Sequence, residues 1–248
     1  MTLTHSGLLV VIPTYNERSN LPQLSDQIFA TLPEAVILVV DDNSPDGTGQ
    51  WCTAQDHPQL LLLSRKDKAG IGSALIAGLQ YAKAEGYQLV VTMDADLSHA
   101  PAELGQLVSH MSGEDKNRRI DVTIASRYTV GGSIEGWGLQ RRMMSWLVNW
   151  FARWFLGLHV CDCSTGFRCY RVSTLGPVLD EKFYARGYAF EEEMLFRLQR
   201  RGALFDEIPS RFVDRDQGGS KLNLGEVVKA AWALVRLSLG RLWPCSTC

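Results

Sequence analysis

The sequence has few cysteines, no excess of positive charge and no long uncharged apolar run. Six cysteines in 248 residues are too few for a disulfide scaffold, so folding must depend on a hydrophobic core. Lysine and arginine total 25 against 27 for aspartate and glutamate, whereas a general nucleic-acid binder is expected to be basic. No run of 18 uncharged apolar residues is present, so no transmembrane helix is expected.

The first residues of the chain and the spacing of its cysteines further restrict the class of protein. The first residues lack the basic stretch and small-residue cleavage site of a signal peptide, so a reducing cytoplasmic compartment is expected. Cys161 and Cys163, like Cys245 and Cys248, have no histidines at zinc-finger spacing, and we interpret them as ordinary thiols. The length and the 46% hydrophobic content predict one globular domain with an appendage.

The first half of the chain alternates strand-length apolar runs with helical patterns. The predicted strands are Leu8–Ile12, Val36–Val40, Leu60–Leu63, Leu89–Thr92 and Val122–Ala125. The predicted helices between them are Asn20–Leu32, Gly72–Glu85 and Pro101–Met111. Most of the strands are too uniformly apolar to have one face in water, which is typical of parallel sheets. The order predicts an α/β, Rossmann-like, mostly parallel sheet flanked by helices.

Chemically capable side chains follow each predicted strand. They are Pro13–Glu17, Asp41–Ser44, Arg65 with Lys66, Asp94 with Asp96, and Arg127. Ligand sites in such sheets lie at the carboxyl ends of the strands, so these side chains are predicted to share one edge. Because surface loops are polar in any protein, this pattern alone leaves function and solvation equally open.

Asp94-Ala95-Asp96 is the strongest single motif. In extended chain, residues two apart point to the same side, so both carboxylates can face one ligand. Such hard oxygen ligands suit Mg²⁺ or Mn²⁺ bridging a diphosphate. A second pair of this kind, Asp214-Arg215-Asp216, occurs, but only the first ends an apolar strand.

Three further segments have both a structural and a functional interpretation. The segment 41–48 can be a turn with a helix cap, or can accept hydrogen bonds from a base or ribose. The glycine turn 68–73 can hold an anion at a helix start, but it matches neither the P-loop nor the Rossmann pattern. Glu191, Glu192 and Glu193 favour the dipole at a helix start, and Glu191 or Glu193 can contact a sugar.

Taken in order from about Leu8 to about Leu224, a set of segments resembles the dolichyl-phosphate (polyprenyl-phosphate) mannose synthases. These are inverting glycosyltransferases of family 2 with the GT-A fold. The segments are PTYNE, DDNSPDGT, KAGIGSA, MDADLSH, SRY, GWGLQRRMMS, STGFRCYR, GYAFEEE and FVDRDQGGSKL. DDNSPDGT and the final segment discriminate this group, whereas PTYNE and a DxD pair occur across the wider superfamily.

The resemblance implies a role for each matching residue. The residues implied to bind the sugar-nucleotide donor are Pro13, Tyr15, Glu17, Val40, Asp42, Asp94, Ala95, Asp96, Arg127, Arg215 and Lys221. Asp94, Asp96 and Ser98 are implied to hold Mg²⁺ or Mn²⁺. Arg141 and Ser145 match the acceptor lipid phosphate site, and Arg215 and Lys221 match a mobile loop. The implied catalytic residues are Asp96, Arg127, Arg141 and Arg215.

The implied reaction moves mannose from GDP-mannose to a polyprenyl (dolichyl-type) monophosphate with inversion. It gives polyprenyl β-phosphomannose and GDP. A UDP-sugar donor such as UDP-glucose is the nearest alternative. A nucleotidyltransferase, which would release pyrophosphate, and a non-enzymatic membrane adaptor are more distant ones.

Two segments are predicted to lie on a membrane surface. In 141–158, Trp146, Trp150 and Trp154 recur on one helical stripe with arginines nearby, as in an interfacial helix; a buried core helix is the alternative. The segment Gly225–Trp243 is a second amphipathic candidate. We therefore expect a catalytic domain at 1–224 and an amphipathic helix and tail at 225–248. The protein is expected to lie peripherally on the cytoplasmic face of a membrane or to dock on an integral partner.

Overall fold

A computed structural model describes residues 7–112, 119–185, 187 and 189–214. The strands are β1 Leu8–Thr14, β2 Val36–Asp41, β3 Leu60–Ser64, β4 Leu89–Thr92, β5 Val122–Ser126, β6 Ser133–Glu135, β7 Arg168–Arg171, β8 Phe205–Pro209 and β9 Arg211–Val213. The helices are α1 Leu21–Thr31, α2 Thr48–Ala54, α3 Ile71–Ala84, α4 Leu104–Ser112, α5 Leu139–Phe151, α6 Val172–Leu179 and α7 Phe190–Arg200.

Within the described residues, the main sheet has seven strands in the order β3-β2-β1-β4-β7-β5-β8. Its pairs are parallel except that β7 runs antiparallel to β4 and to β5. A small parallel pair, β6 with β9, stands beside it. The predicted α/β, mostly parallel sheet flanked by helices is confirmed.

The five predicted strands are all present, and four of them run one or two residues further than predicted. β1, β2, β3 and β5 end at Thr14, Asp41, Ser64 and Ser126, which are polar. Backbone pairing does not depend on side-chain polarity, so the ladder continues past the last apolar residue. The polar ends of the strands therefore belong to the rigid sheet.

The helices cover both faces of the sheet, and each face has its own core. Alternate residues of β1 point to opposite sides, so Val11 packs with α3, α6 and α7 while Val10 packs with α1 and α4. The predicted helix Pro101–Met111 is divided into a 3₁₀ turn, Pro101–Glu103, and α4. These two layers hold the carboxyl ends of the parallel strands at one edge.

The antiparallel strand β7 brings one further loop to that edge. Because β7 runs the other way, its beginning lies beside the end of β4, with Arg168 opposite Thr92. The Thr92 hydroxyl donates to the Gly166 carbonyl oxygen at 2.7 Å. The loop before β7 therefore joins the loops that follow the parallel strands.

We predict that Gly78→Ala destabilises the fold. A Cβ at Gly78 in α3 would lie 2.3 Å from Val11 Cγ1, and a β-branched strand residue in the core cannot move aside. Overpacking of this kind costs about 1–3 kcal/mol, partly offset by the helix propensity of alanine. Urea unfolding measures the loss. Gly105→Ala in α4 is the control, because its Cβ would meet only Thr31 Cγ2 at 4.0 Å. Equal stability of the two variants would contradict the prediction.

Candidate active site

The loops after β1 and β2 are joined by hydrogen bonds that shape the first part of the site. The backbone N–H of Asn16 donates to Ser44 Oγ at 3.0 Å, and that of Glu17 donates to Thr48 Oγ1 at 3.2 Å. Asp46 accepts the N–H and hydroxyl of Thr48, the first residue of α2, while the N-cap residue Gly47 has no side chain to cap the helix. The turn interpretation of this segment is therefore correct, and the same turn lies beside the predicted donor residues.

Asp41 and Asp42 have different roles although they are neighbours. The buried Asp41 carboxylate accepts from the hydroxyls of Thr14 and Ser44, so it holds the two loops together. Asp42 pairs with Arg65 at 2.9 Å and accepts the Ala69 N–H at 3.2 Å. Burial raises the pKa of Asp42, and Arg65 opposes that rise.

The other residues of the predicted donor site lie beside Asp42. Val40 is buried in β2, and Pro13 and Tyr15 are partly exposed at the end of β1. Lys68 Nζ lies 3.8 Å from the centroid of the Tyr15 ring. An aromatic face, a cation and a carboxylate thus come together at this end of the sheet.

Asp94, Ala95, Asp96 and Ser98 form a tight turn after β4. Asp96 Oδ1 accepts the Ser98 N–H at 3.0 Å. Leu97 has φ of 60°, a left-handed conformation that is uncommon outside glycine, asparagine and aspartate. The Asp94 side chain is 35% exposed, so its carboxylate faces the open edge.

This turn has the donor chemistry of a divalent-cation site. It presents two carboxylates and the buried hydroxyl of Ser98, which has no hydrogen-bond partner among the described residues. Hard oxygen ligands of this type fit Mg²⁺ or Mn²⁺. Among the described residues, no group of three or more histidine, cysteine or acidic side chains is arranged to hold a metal ion by itself.

His99 lies directly behind the turn and was not singled out from the sequence. Its Nε2 is 3.8 Å from Asp94 Oδ2, and its ring packs on Phe167 and Phe212. Burial, with a smaller effect of Arg127, lowers the pKa of His99 to about 4. The imidazole is therefore neutral at pH 7, and it adds no positive charge beside Asp94.

Gly166 leaves a space between two carboxylates. A Cβ at this position would lie 3.5 Å from Glu191 Oε1 and 3.7 Å from Asp94 Oδ1. Gly166 therefore lies between the end of β4 and the start of α7, with one carboxylate oxygen from each side within contact distance.

Arg127 is held by Asp162 in a buried ion pair. Asp162 accepts from the Arg127 backbone N–H at 3.0 Å, from Nε at 2.7 Å and from Nη2 at 2.8 Å. Burial acts to lower the pKa of Arg127, but Asp162, with Asp94 contributing, raises it overall. The same pairing keeps the pKa of Asp162 low against the effect of burial. Both groups remain charged, and the guanidinium has a fixed direction.

The three glutamates at the start of α7 are all buried but have different environments. Glu191 pairs with the fully buried Arg168 at 2.7 Å. Glu193 accepts from Arg197 and from the backbone N–H groups of Tyr184 and Ala185. Of the two glutamates considered for the sugar, only Glu191 borders the space at Gly166. Glu193 is occupied in holding the preceding loop.

The inward face of α5 carries the predicted acceptor residues. Arg141 Nη1 donates to both oxygens of Asp214 at 2.8 Å, and its guanidinium lies 4.3 Å from the Trp137 ring. Ser145 Oγ accepts from the Tyr128 hydroxyl at 2.8 Å. Asn149, one turn further on, accepts the Cys163 N–H at 2.6 Å and ties α5 to the loop before β7.

The outward face of α5 and of the π turn that continues it is apolar and exposed. Trp146, Trp150 and Trp154 are 60%, 40% and 72% exposed. Leu139 and Met143 are exposed on the same side, at 76% and 62%. We call this surface, from Leu139 to Phe155, the α5 apolar face. The alternative of a buried core helix is wrong.

Some predicted residues lie beyond these observations. Arg215, Lys221 and the candidate helix Gly225–Trp243 fall outside the described residues. Among the described residues, no helix is long and apolar enough to cross a membrane.

Comparison with known proteins identifies the family to which the chain belongs. The family model for glycosyl transferase family 2 matches residues 9–176. The chain belongs to glycosyl transferase family 2. It is 38% identical to an undecaprenyl-phosphate mannosyltransferase of Micrococcus luteus, over 95% of this chain and 96% of the relative. It is 35% identical to a polyprenol monophosphomannose synthase of Mycolicibacterium smegmatis, over 94% of this chain and 88% of that protein.

Solved structures agree on the fold. Glucosyl-3-phosphoglycerate synthase of Mycobacterium tuberculosis, crystallised with Mn²⁺, UDP-glucose and phosphoglyceric acid, superposes with a TM-score of 0.66. The match covers 96% of this chain and 81% of that one, at 19% identity. The fold of a family 2 glycosyltransferase is therefore present, while the substrates are a separate question.

We predict that Glu192 makes stability fall as pH rises. Burial raises its pKa to about 8, so the folded state holds a proton that the unfolded chain releases above about 4.5. The stabilisation is complete below the unfolded pKa and is lost as pH rises through about 8. Thermal unfolding between pH 5 and 8 should show a flatter profile for Glu192→Gln than for wild type. The exposed Glu34→Gln is the control, and parallel profiles for wild type and Glu192→Gln would exclude the effect.

Proposed function

We propose that this family 2 glycosyltransferase transfers mannose from GDP-mannose to a polyprenyl monophosphate with inversion. The observation that carries the proposal is the meeting, at one sheet edge, of the Asp94–Asp96 turn, Arg127 and the helix α5 with its outward apolar face. The first two suit a sugar-nucleotide donor, and the third suits an acceptor that lies in a membrane. The two relatives described above are named as an undecaprenyl-phosphate mannosyltransferase and a polyprenol monophosphomannose synthase, which supports the sugar and the acceptor class.

Asp94 and Asp96, with Ser98, would hold Mg²⁺ or Mn²⁺. Bound there, the cation would supply charge neutralisation to the departing diphosphate. Tyr15 would offer its ring to the base, Glu17 and Asp42 would accept hydrogen bonds from the base or ribose, and Pro13, Val40 and Ala95 would shape the pocket. Arg215 and Lys221 would contact the diphosphate from the segment that follows β9.

The chain's own residues have to orient charges more than transfer protons. A phosphate monoester has a second pKa of about 6, so the acceptor is already a nucleophile at pH 7. Its oxygen attacks the anomeric carbon, the bond to the diphosphate oxygen breaks, and GDP leaves with the bonding electrons. Arg127, fixed by Asp162, would lie between the two phosphate groups and reduce their repulsion. A single displacement gives the β product from an α-linked donor.

We predict that Asp96→Asn abolishes formation of lipid phosphomannose while the fold persists. The change removes one carboxylate from the cation site at nearly constant shape. Mass spectrometry would follow the product from a short polyprenyl phosphate, Mg²⁺ or Mn²⁺, and GDP-mannose or UDP-glucose in separate reactions. Asp56→Asn, at an exposed turn, is the control. Product from UDP-glucose alone would replace the proposed donor, and wild-type turnover by Asp96→Asn would remove the metal role.

We also propose that the α5 apolar face lies on the membrane that contains the acceptor. Tryptophan at the interface with arginine nearby is the usual composition of such a surface. Arg142 and Arg153 are exposed on the same helical segment, which suits an anionic leaflet. A peripheral position on the cytoplasmic face would bring Arg141 and Ser145 to the depth of the lipid phosphates.

We predict that Trp150→Ser combined with Trp154→Ser weakens binding to anionic vesicles at least tenfold, because interfacial tryptophans lose their apolar contact. Flotation with phosphatidylglycerol-containing vesicles measures the effect. Leu204→Ser is the control, since Leu204 is 42% exposed but precedes β8 at the opposite edge of the sheet. An unchanged floating fraction in the double variant would place the membrane contact elsewhere.

A further inference from the structure

The connection from β5 to β6 has an apolar side chain at its most exposed point. Val130 is 97% exposed, the largest exposed fraction among the large apolar side chains that the structure describes. It lies in a turn in which the Gly132 N–H donates to the Thr129 carbonyl oxygen at 2.9 Å. Gly131 has φ of 94°, the left-handed conformation that a type II turn requires at its third position. We call residues 129–132 the Val130 turn.

Close packing fixes the shape of the Val130 turn. A Cβ at Gly132 would lie 2.5 Å from the Ser126 carbonyl oxygen, and one at Gly131 would lie 3.2 Å from Pro209 Cβ. Ser126 and Pro209 are the last residues of β5 and β8. The turn therefore packs against the ends of two strands of the main sheet, and its backbone holds Val130 away from the sheet.

Val130 contributes little to the stability of the fold. Its side chain is almost entirely in water, so the fold buries almost none of its apolar surface. Turns favour glycine, proline, asparagine, aspartate and serine, so a polar residue would serve this turn as well. A single exposed apolar residue is ordinary on a protein surface, and its meaning depends on what lies beside it.

Two hydrogen bonds attach the β5–β6 connection to α5, one on each side of the Val130 turn. Before the turn, the Tyr128 hydroxyl donates to Ser145 Oγ at 2.8 Å. After the turn, the Ile134 carbonyl oxygen accepts from Arg142 Nη2 at 2.8 Å. The Val130 turn is therefore held beside the first half of α5.

The α5 apolar face reaches the same place. Trp146 belongs to that face, since it is 60% exposed and stacks on Trp150 with ring centroids 6.5 Å apart. Trp146 also faces Gly132 and Ser133 across a cavity of about 310 Å³. Val130 thus continues the apolar surface from the helix onto the neighbouring connection.

The charge around the turn suits an anionic lipid surface. Residues 128–134 contain no acidic side chain, and Arg142 is exposed next to them. Glu135, the next residue along the chain, pairs with Arg211 at 2.7 Å. Apolar side chains together with arginine form the kind of surface that lies on an anionic bilayer.

We propose that the Val130 turn is a second membrane contact, at which Val130 enters the interfacial layer of an anionic bilayer beside the α5 apolar face. The inference rests on the proposed function for the presence of the membrane, and it adds a contact that α5 does not supply. A single helix lying on a surface can roll about its own axis. A second contact to one side of that axis prevents the roll and fixes the orientation of the catalytic domain.

The test is flotation of the full chain with vesicles of phosphatidylcholine and phosphatidylglycerol. Val130→Ser should weaken binding about fivefold, because the valine side chain no longer leaves water on binding. Val130→Asp should weaken it further, since the anionic lipids repel the new charge. Val130→Trp should strengthen binding about threefold, because tryptophan favours the interface. Opposite effects of serine and tryptophan at one exposed position would not arise from a loss of structure.

Leu204→Ser and Leu204→Trp are the matched controls. Leu204 is 42% exposed but precedes β8, whereas the Val130 turn contacts Pro209 at the other end of that strand. Neither control should change the floating fraction.

A fluorescent label gives the second readout. An environment-sensitive nitrobenzoxadiazole group is attached to Val130→Cys or Leu204→Cys in a background with Cys161→Ser, Cys245→Ser and Cys248→Ser. Vesicles should shift the emission at Val130→Cys to the blue and leave that at Leu204→Cys unchanged.

Equal binding of wild type, Val130→Ser and Val130→Trp, or a label at position 130 whose emission is unaffected by vesicles, would overturn the inference. The variant with both Trp150→Ser and Trp154→Ser tests the proposed function separately. If it floats like wild type while the Val130 variants differ, the α5 contact is wrong and the Val130 turn stands.

Discussion

The buried ion pair between Arg127 and Asp162 is the interaction on which the site depends. Asp162 is completely buried, and besides Arg127 it accepts the backbone N–H groups of Ser164 and Thr165. One carboxylate therefore joins the end of β5 to the loop before β7. Removing one partner of such a pair typically costs about 3–5 kcal/mol, because the other charge stays buried. Burying two charges costs free energy, and this cost is offset only while the two charges are paired with each other. The ion pair that stabilises the fold therefore also fixes the position of Arg127.

The fold could be predicted from the sequence wherever a helix or strand consists largely of one type of side chain. The apolar runs of β1 to β5 identified those strands and the edge where their loops meet. β7 could not be found in this way, because the sequence Arg-Cys-Tyr-Arg has a charge at each end and its first arginine is buried against Glu191. A strand whose polar residues are satisfied by tertiary contacts has no periodicity to detect.

The residues of the candidate site also fall into those that the sequence could predict and those that it could not. The Asp94–Asp96 pair and Asp42 could be predicted from the sequence, because they directly follow strands and match a family pattern. Asp162, His99 and Asn149 act through contacts with residues distant in sequence, and nothing local marks them. Asp162 lies between Cys161 and Cys163, whose spacing raises the question of a metal site. The aspartate between them, and neither cysteine, is the residue that holds the site together.

The rotational setting of α5 has a consequence of its own. Arg141, Ser145 and Asn149 follow one another at intervals of four on one side, and Trp146, Trp150 and Trp154 do the same on another. Because the two sets interleave along the chain, loss or gain of a single residue would rotate everything on one side of the change by about 100° and would break up both sets. A change in the length of this helix would therefore disturb both surfaces at once, whereas a replacement disturbs only its own position. We expect related chains to show few insertions or deletions here.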